Sequence, residues 1–193
     1  GGSAAGVERL LRVRGGGTVD IVAHSMGAVS ARWYATQLHP ELVRSLTTIA
    51  GANHGTDMLC GLPGEGAAEM CPAFDRNPDH PVQATLNGTA TGPVDETPYG
   101  RGPDPVGVTP VPPRGDQRIR YTAVALSDDG WIRPPTSALL AGADELAALP
   151  AGLATQPSPG NLMFIGATDH DAVLTDTAMM QILDLVLTAA GDS

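Results

Sequence analysis

Apolar residues recur along the chain with two different periods, and the period changes several times between the ends. Short runs rich in β-branched and apolar residues predict four strands, at 18–23, 44–50, 118–126 and 161–166. Helical spacing of apolar positions predicts helices at 4–14, 26–38, 136–148 and 175–189. Strands that alternate with helices predict an α/β fold, with a mostly parallel sheet covered by helices on both faces. Functional residues of such sheets lie at the carboxyl ends of the strands.

One long stretch interrupts this alternation. Residues 51–117 are rich in Gly and Pro, and eleven of the 17 prolines lie between Pro63 and Pro113. This composition does not suit regular core elements, and so long a loop in a compact domain is typically functional or mobile. We therefore predict an insertion at 57–117, with a lid as one interpretation.

The bulk composition limits the classes of function. A length of 193 residues suits one domain, and the 42% hydrophobic content is typical of a folded chain. The formal net charge is −10, and the chain has eleven arginines and no lysine. We expect no nucleic-acid partner, because binding nucleic acid requires a basic face. No apolar run is long enough to predict a transmembrane segment.

The two cysteines of the chain, Cys60 and Cys71, are predicted to form a local disulfide bond. Both cysteines lie in the loop-like stretch, and they are close in sequence. Two free thiols are the alternative, but a disulfide is the better interpretation and indicates an exported protein. The chain begins with GGSAAG rather than Met, which suggests a fragment or a processed product.

The segment VDIVAHSMGAVSARWY, at 19–34, carries the chemistry. A predicted strand leads into A-H-S-M-G, and a predicted helix follows directly. In such a tight turn the Ser25 hydroxyl projects over the end of the sheet, and the Met26 N–H can stabilise an oxyanion. Small residues, Ala23 and Gly27, are expected where helix and strand close on each other. The alternative is a serine at an ordinary helix N-cap, but the strand–motif–helix context favours a nucleophile.

A serine nucleophile needs a base and an acid later in the chain. The only histidine after residue 100 is His170, in FIGATDHDAVL directly after the fourth strand. The acid is expected after the third strand, where YTAVALSDDGWIRP contains Asp128 and Asp129. Either aspartate could instead belong to an Asp-Asp-Gly turn, and composition alone does not choose between them.

Other histidines have plainer interpretations. We expect His24 to pack or form hydrogen bonds within the turn rather than to act as the base. We expect His54, in GANHGT, to have a structural role in its loop, with a place at the mouth of the site as the alternative. No zinc-type spacing of ligands occurs, so the sequence predicts no cofactor and no catalytic metal. A structural Ca²⁺ bound by loop aspartates remains open.

Several of these motifs, taken together and in order, resemble the secreted bacterial class 2 lipases of the α/β-hydrolase superfamily. They are VDIVAHSMGAVSARWY, IAGANHGT, the separated pieces LN and DETP, YTAVALSDDGWIRP and DHDAVL. The resemblance covers most of 18–187 and implies an α/β-hydrolase fold with a catalytic triad of Ser25, Asp129 and His170. It favours Asp129 over Asp128, because the family aspartate comes just before a residue pair that leads to an apolar position and Pro.

The resemblance also implies what lies upstream. Family members have earlier strands and an H-G loop that donates the second oxyanion N–H. We therefore expect 1–193 to be a single α/β-hydrolase domain that lacks its amino-terminal strands. The insertion at 57–117 is longer than in the smallest lipases of the family, which suggests a lid or an altered acyl pocket.

The function expected from these residues is that of a serine ester hydrolase, a lipase or esterase that cleaves lipid esters through an acyl-enzyme. We expect an ester substrate, a transient contact with a lipid interface, and secretion. A polyhydroxyalkanoate depolymerase or an acyltransferase with the same triad remains an alternative. A truncated homologue without catalytic activity is the alternative from a different class.

Overall fold

The computed structural model describes most of the chain outside three segments around residues 1–15, 100–118 and 141–159. The described residues are 6, 9, 11, 16–76, 78–92, 94–99, 119–140, 160–165 and 169–191.

Four strands form one parallel sheet. They are β1 (Val19–His24), β2 (Val43–Ile49), β3 (Arg120–Leu126) and β4 (Gly160–Phe164), and they lie side by side in sequence order. All four predicted strands are therefore present, with bounds within about two residues of the expected ones. Because the strands are parallel, their carboxyl ends share one edge of the sheet.

Helices connect and cover these strands. Helix α1 (Gly27–Trp33) follows β1 and continues as a turn of π-helix at Tyr34–Leu38. The last helix runs over Thr177–Gly191, where the sequence predicts 175–189. It begins after Asp176, whose carboxylate accepts hydrogen bonds from the N–H groups of Ala178 and Met179.

The core lies on both faces of the sheet, as β3 shows. Tyr121 and Ala123 pack in one buried cluster with the Tyr34–Ala35 end of the first helical region. Val124 and Leu126 belong to another buried cluster, which includes Met179 of the last helix. Since alternate strand residues point to opposite faces, helices cover both sides of β3. This confirms the predicted α/β class and is consistent with an α/β-hydrolase fold.

The expectation that 51–117 lacks regular structure is wrong for its described part. Two short helices occur there, α2 (Glu65–Met70) and α3 (Pro81–Asn87), and the last helix is accordingly α4. Met70 of α2 and Leu86 of α3 are buried in a cluster with Val29 and Ala125. Pro81 suits the first turn of α3, where its missing N–H leaves no bond unmade. This part of the insertion therefore packs on the main core, and 100–118 lie outside the described residues.

Two predicted helices are only partly described. Residues 6, 9 and 11 are helical within the predicted 4–14, and most of that range lies outside the described residues. The helix predicted at 136–148 is a short 3-10 turn at Pro135–Ala138 in its described part, and 141–148 lie outside it. Within the part of the chain that the structure describes, no helix has the length and apolarity needed to span a membrane.

Candidate active site

The turn between β1 and α1 holds Ser25 in a backbone conformation that is unusual for serine. Its φ is +55°, in the left-handed region that few residues other than glycine adopt. The Ser25 N–H donates to the Ile49 carbonyl at 3.2 Å, and the Ser25 carbonyl accepts from Ala28 and Ala52 at 3.1 Å each. Neighbouring elements thus hold the strained residue at the end of β1, which is typical of functional sites.

The steric explanation for Gly27 is wrong. Gly27 is exposed, and a Cβ built there meets no atom within 4 Å outside its own local backbone. The close approach occurs instead at Gly51, just after β2, where a Cβ would lie 2.6 Å from the Ala28 Cβ. The small pair that lets the turn close is therefore Ala28 and Gly51. Ala23, in β1, is only partly buried.

The three residues expected to form a triad lie together at the carboxyl edge of the sheet. Ser25 follows β1, Asp129 follows β3, and His170 follows β4. His170 Nε2 lies 2.8 Å from Ser25 Oγ, and His170 Nδ1 lies 3.0 and 3.1 Å from the two Asp129 oxygens. His170 and Asp129 are buried, whereas Ser25 is partly exposed. This arrangement can move a proton from the serine to an imidazole whose other nitrogen faces a carboxylate.

Asp129 also fulfils the turn role that the sequence left open. Its Oδ1 accepts hydrogen bonds from the N–H groups of Trp131 at 2.8 Å and Ile132 at 3.0 Å. Asp128 is exposed, and its Oδ2 accepts from the neighbouring Ser127 hydroxyl at 3.1 Å. Asp129 therefore shapes the turn and also meets the histidine, so the two interpretations of this aspartate hold together.

The turn that carries His170 is shaped by its own neighbour. Asp169 Oδ1 accepts from the N–H groups of Asp171 at 3.1 Å and Ala172 at 2.6 Å. Val173 in the following 3-10 turn is fully buried against the core of the sheet. The Asp169 hydrogen bonds thus shape the loop, and Val173 attaches it to the core after the imidazole.

His24 lies against His170. Its Nε2 is 2.7 Å from the His170 carbonyl oxygen, and the two ring centroids are 4.6 Å apart at 43°. A hydrogen bond near the turn agrees with the expectation, although the partner is the loop of the proposed base. Met26, the expected oxyanion donor, has a half-exposed side chain, and among the described residues no acceptor pairs with its N–H.

The Cys60–Cys71 disulfide is present, with Cα atoms 5.0 Å apart. It closes the segment between the short turn at Asp57–Leu59 and the end of α2. The same segment is joined to the acid loop, because Thr56 Oγ1 donates to the Trp131 carbonyl and accepts from the Arg133 N–H at 3.0 Å.

Sequence reasoning missed a buried polar network behind the site. Arg32 of α1 is fully buried and donates to the carbonyls of Asn53 at 3.0 Å and Leu86 at 2.9 Å. Burial lowers the pKa of this guanidinium, while the nearby Glu96 carboxylate acts in the opposite direction. His54 Nε2 lies 2.9 Å from Glu96 Oε1, so His54 has the structural role that we expected. Arginine in the middle of a predicted core helix was the one available signal.

One group of side chains has the composition of a metal site. His24, His170 and Asp171 place ligand atoms within 4.8 Å of one another. Both ring nitrogens of His170 already face Ser25 and Asp129, so binding a metal there would disrupt those contacts. The geometry thus fits acid–base chemistry better than metal ligation.

The chain is similar in part to known hydrolases. No protein-family model matches it. A 52-residue stretch, 27% of this chain, is 38% identical to a triacylglycerol lipase from Pseudomonas fragi and spans 17% of that lipase. A crystal structure of a pyrethroid hydrolase aligns with 96% of this chain and 76% of its own, at 16% identity and a TM-score of 0.41. The match to the lipase supports a relationship to hydrolases and nothing more specific.

Proposed function

We propose that the protein is a serine ester hydrolase that acts through an acyl-enzyme. The observation that carries the proposal is the continuous set of contacts from Ser25 Oγ through the His170 ring to the Asp129 carboxylate. The positive φ of Ser25 and its place between a strand and a helix support the same assignment.

In the first half of the reaction, Ser25 Oγ forms a bond to the acyl carbonyl carbon, and its proton passes to His170 Nε2. The imidazolium donates from Nδ1 to Asp129, which stabilises the new charge. The tetrahedral intermediate then collapses, the bond to the alcohol breaks, and the proton on Nε2 goes to the leaving alkoxide. In the second half, water gives a proton to Nε2 as its oxygen bonds to the acyl carbon. The bond between that carbon and Ser25 Oγ then breaks, and the proton on Nε2 returns to Oγ, which releases the acid and restores Ser25.

The Met26 N–H is the oxyanion donor of this mechanism. It belongs to the residue after the nucleophile, and it lies at the start of α1, where the helix dipole favours negative charge. One such donor typically contributes about 3 kcal/mol to transition-state stabilisation.

Esters with apolar groups are the proposed substrates. Three large apolar side chains that follow the triad residues closely in sequence are exposed: Met26 by 50%, Trp131 by 56% and Leu174 by 44%. Exposed apolar side chains that follow the triad residues in sequence favour lipid-like acyl chains and a transient contact with a lipid interface. The similarity to a triacylglycerol lipase supports this class, and the disulfide supports export of the protein.

The proposal is tested by the reaction of Ser25. We expect the protein to hydrolyse p-nitrophenyl esters and to be labelled on Ser25 by a fluorophosphonate probe. Ser25→Ala should lower kcat by roughly five orders of magnitude and abolish labelling, while its thermal transition stays near that of the wild type. The control is Ser30→Ala, which removes an exposed hydroxyl from α1, five residues after Ser25.

Two results would contradict the proposal. Turnover that survives Ser25→Ala would place the nucleophile elsewhere. A folded wild-type protein that neither turns over esters nor reacts with the probe would indicate a homologue without catalytic activity.

A further inference from the structure

The contact between His24 and His170 joins the nucleophile and the base through the backbone. His24 is the last residue of β1 and directly precedes Ser25, and its backbone is paired with Ile49 of β2. Its side chain reaches the main-chain oxygen of His170, 146 positions later in the chain. The two rings also lie next to each other, with centroids 4.6 Å apart and planes inclined at 43°.

The chemistry of this contact determines which nitrogen of His24 carries a proton. A carbonyl oxygen only accepts hydrogen bonds, so Nε2 of His24 must be the donor. Nε2 of His24 therefore cannot take the proton of Ser25, and the nitrogen that faces Ser25 Oγ, at 2.8 Å, is Nε2 of His170. An oxygen of the exposed Asp171 carboxylate also lies within 4.8 Å of a nitrogen of each ring.

We propose that His24 is a positioning residue, whose hydrogen bond to the His170 carbonyl sets the distance and angle between Ser25 Oγ and His170 Nε2. This inference rests on the proposed function. His170 must keep its two ring nitrogens aligned with Ser25 and Asp129 at once, and side-chain contacts alone do not fix the position of its Cα atom. The bond from His24 fixes the peptide group of His170 relative to β1, which is the strand that also carries Ser25.

The position of the donor provides a specific test by substitution. The amide nitrogen of glutamine lies about as far from the backbone as Nε2 of histidine. The amide nitrogen of asparagine lies only as far out as Nδ1, so asparagine does not reach the His170 carbonyl. His24→Gln should therefore retain the bond, and His24→Asn and His24→Phe should lose it. Phe keeps the ring against His170 and removes only the donor.

We expect kcat of His24→Asn and His24→Phe to fall about tenfold to a hundredfold, with KM nearly unchanged, since a small misplacement of a catalytic group has effects of this size. His24→Gln should keep kcat within about threefold of the wild type, because glutamine loses the ring contact with His170 but retains the hydrogen-bond donor. Rates are to be normalised to active sites titrated with the fluorophosphonate probe. This normalisation separates slower chemistry from a smaller folded fraction.

The control is His39→Asn, which removes an imidazole that lies before β2 and hence at the opposite edge of the sheet. It should leave kcat per active site unchanged. Equal kcat for His24→Phe, His24→Asn and wild type would overturn the inference while leaving the proposed function intact. A loss in His24→Gln as large as in His24→Phe would overturn it too. A wild-type protein without turnover would overturn the inference together with the proposed function.

Discussion

At the scale of single residues, the Asp129 carboxylate combines two tasks that the sequence presents as alternatives. It is buried, it accepts two backbone N–H groups of its own turn, and it faces His170 Nδ1. Asp128, one position earlier, points to solvent. The side chains of these two neighbouring residues point in different directions, and only that of Asp129 reaches the histidine.

Asp129→Asn is therefore expected to lower kcat by about four orders of magnitude, as an amide at this place favours the wrong imidazole tautomer. The asparagine oxygen can still accept from Trp131 and Ile132, so the thermal transition should change little. Asp128→Asn is the matched control and should keep near wild-type kcat. Equal kinetic effects of the two substitutions would show that Asp129 is not the acid.

Gly51 is a second single residue on which the site depends, because the space around it decides whether the turn at Ser25 can close. We expect Gly51→Ala to destabilise the protein by about 1–3 kcal/mol, since the new methyl group would overlap the Ala28 Cβ. Gly27→Ala should be neutral or slightly stabilising, because its Cβ enters open space at the start of a helix. Urea denaturation of both variants checks this pair, and a larger loss for Gly27→Ala would contradict it.

At the scale of elements, Arg32 links α1 to two segments that are distant in sequence. Its guanidinium bonds the loop after β2 through Asn53 and the insertion helix α3 through Leu86. Asn87, at the end of α3, donates to the same Asn53 carbonyl at 2.7 Å. The insertion is thus attached to the sheet by buried hydrogen bonds as well as by the apolar contacts of Met70 and Leu86.

Arg32→Met should cost about 3 kcal/mol of unfolding free energy, because the buried carbonyls of Asn53 and Leu86 each lose a charged donor and Glu96 loses a nearby cation. Arg44→Met is the matched control. Arg44 donates from β2 to the Asp20 carboxylate of β1 on the exposed surface, and such pairs contribute at most about 1 kcal/mol. Equal losses in urea denaturation would contradict the buried role of Arg32.

The stabilisation by the Arg44–Asp20 pair, which the control removes, depends on pH. The hydrogen bond from Arg44 is the main cause that lowers the pKa of Asp20 below its usual value. The stabilisation is therefore present above the unfolded-state pKa of Asp20 and is lost as the pH falls through the folded-state pKa. The small stability difference between wild type and Arg44→Met should shrink on acidification.

At the scale of the whole molecule, the sheet formed by the described residues has an open side at β1. Among the described residues, β1 pairs only with β2, and Val22 in its middle is 44% exposed. An unpaired edge with apolar side chains is a template for pairing with another chain. The expectation that 1–193 lacks the amino-terminal strands of the domain stays a prediction.

The 193-residue chain expressed alone should therefore self-associate, and Val22→Lys should reduce the association, because a charged lysine on an edge strand opposes pairing. Leu185→Lys is the control, since Leu185 is 70% exposed and lies on the helix α4 rather than on a strand. Light scattering coupled to size-exclusion chromatography provides the measurement. A wild-type chain that stays monomeric at high concentration would contradict the prediction.

The sequence by itself determined the strands, their parallel arrangement and the order of Ser25, an aspartate and His170. These features depend on local periodicity and on the rule that parallel strands end at one edge, and both are visible along the chain. The helices of the insertion were missed because Gly and Pro dominate the composition of 51–117, while six- and seven-residue helices leave almost no periodic signal.

Tertiary structure alone decided three other matters: His24 as a contact of the His170 carbonyl, the close approach at Gly51 rather than Gly27, and Arg32 as a buried link. Each depends on which segments from distant parts of the chain lie in contact, and a one-dimensional pattern carries no information about such contacts. Periodicity shows which face of an element is buried, whereas the atoms that meet that face are supplied by the folded chain.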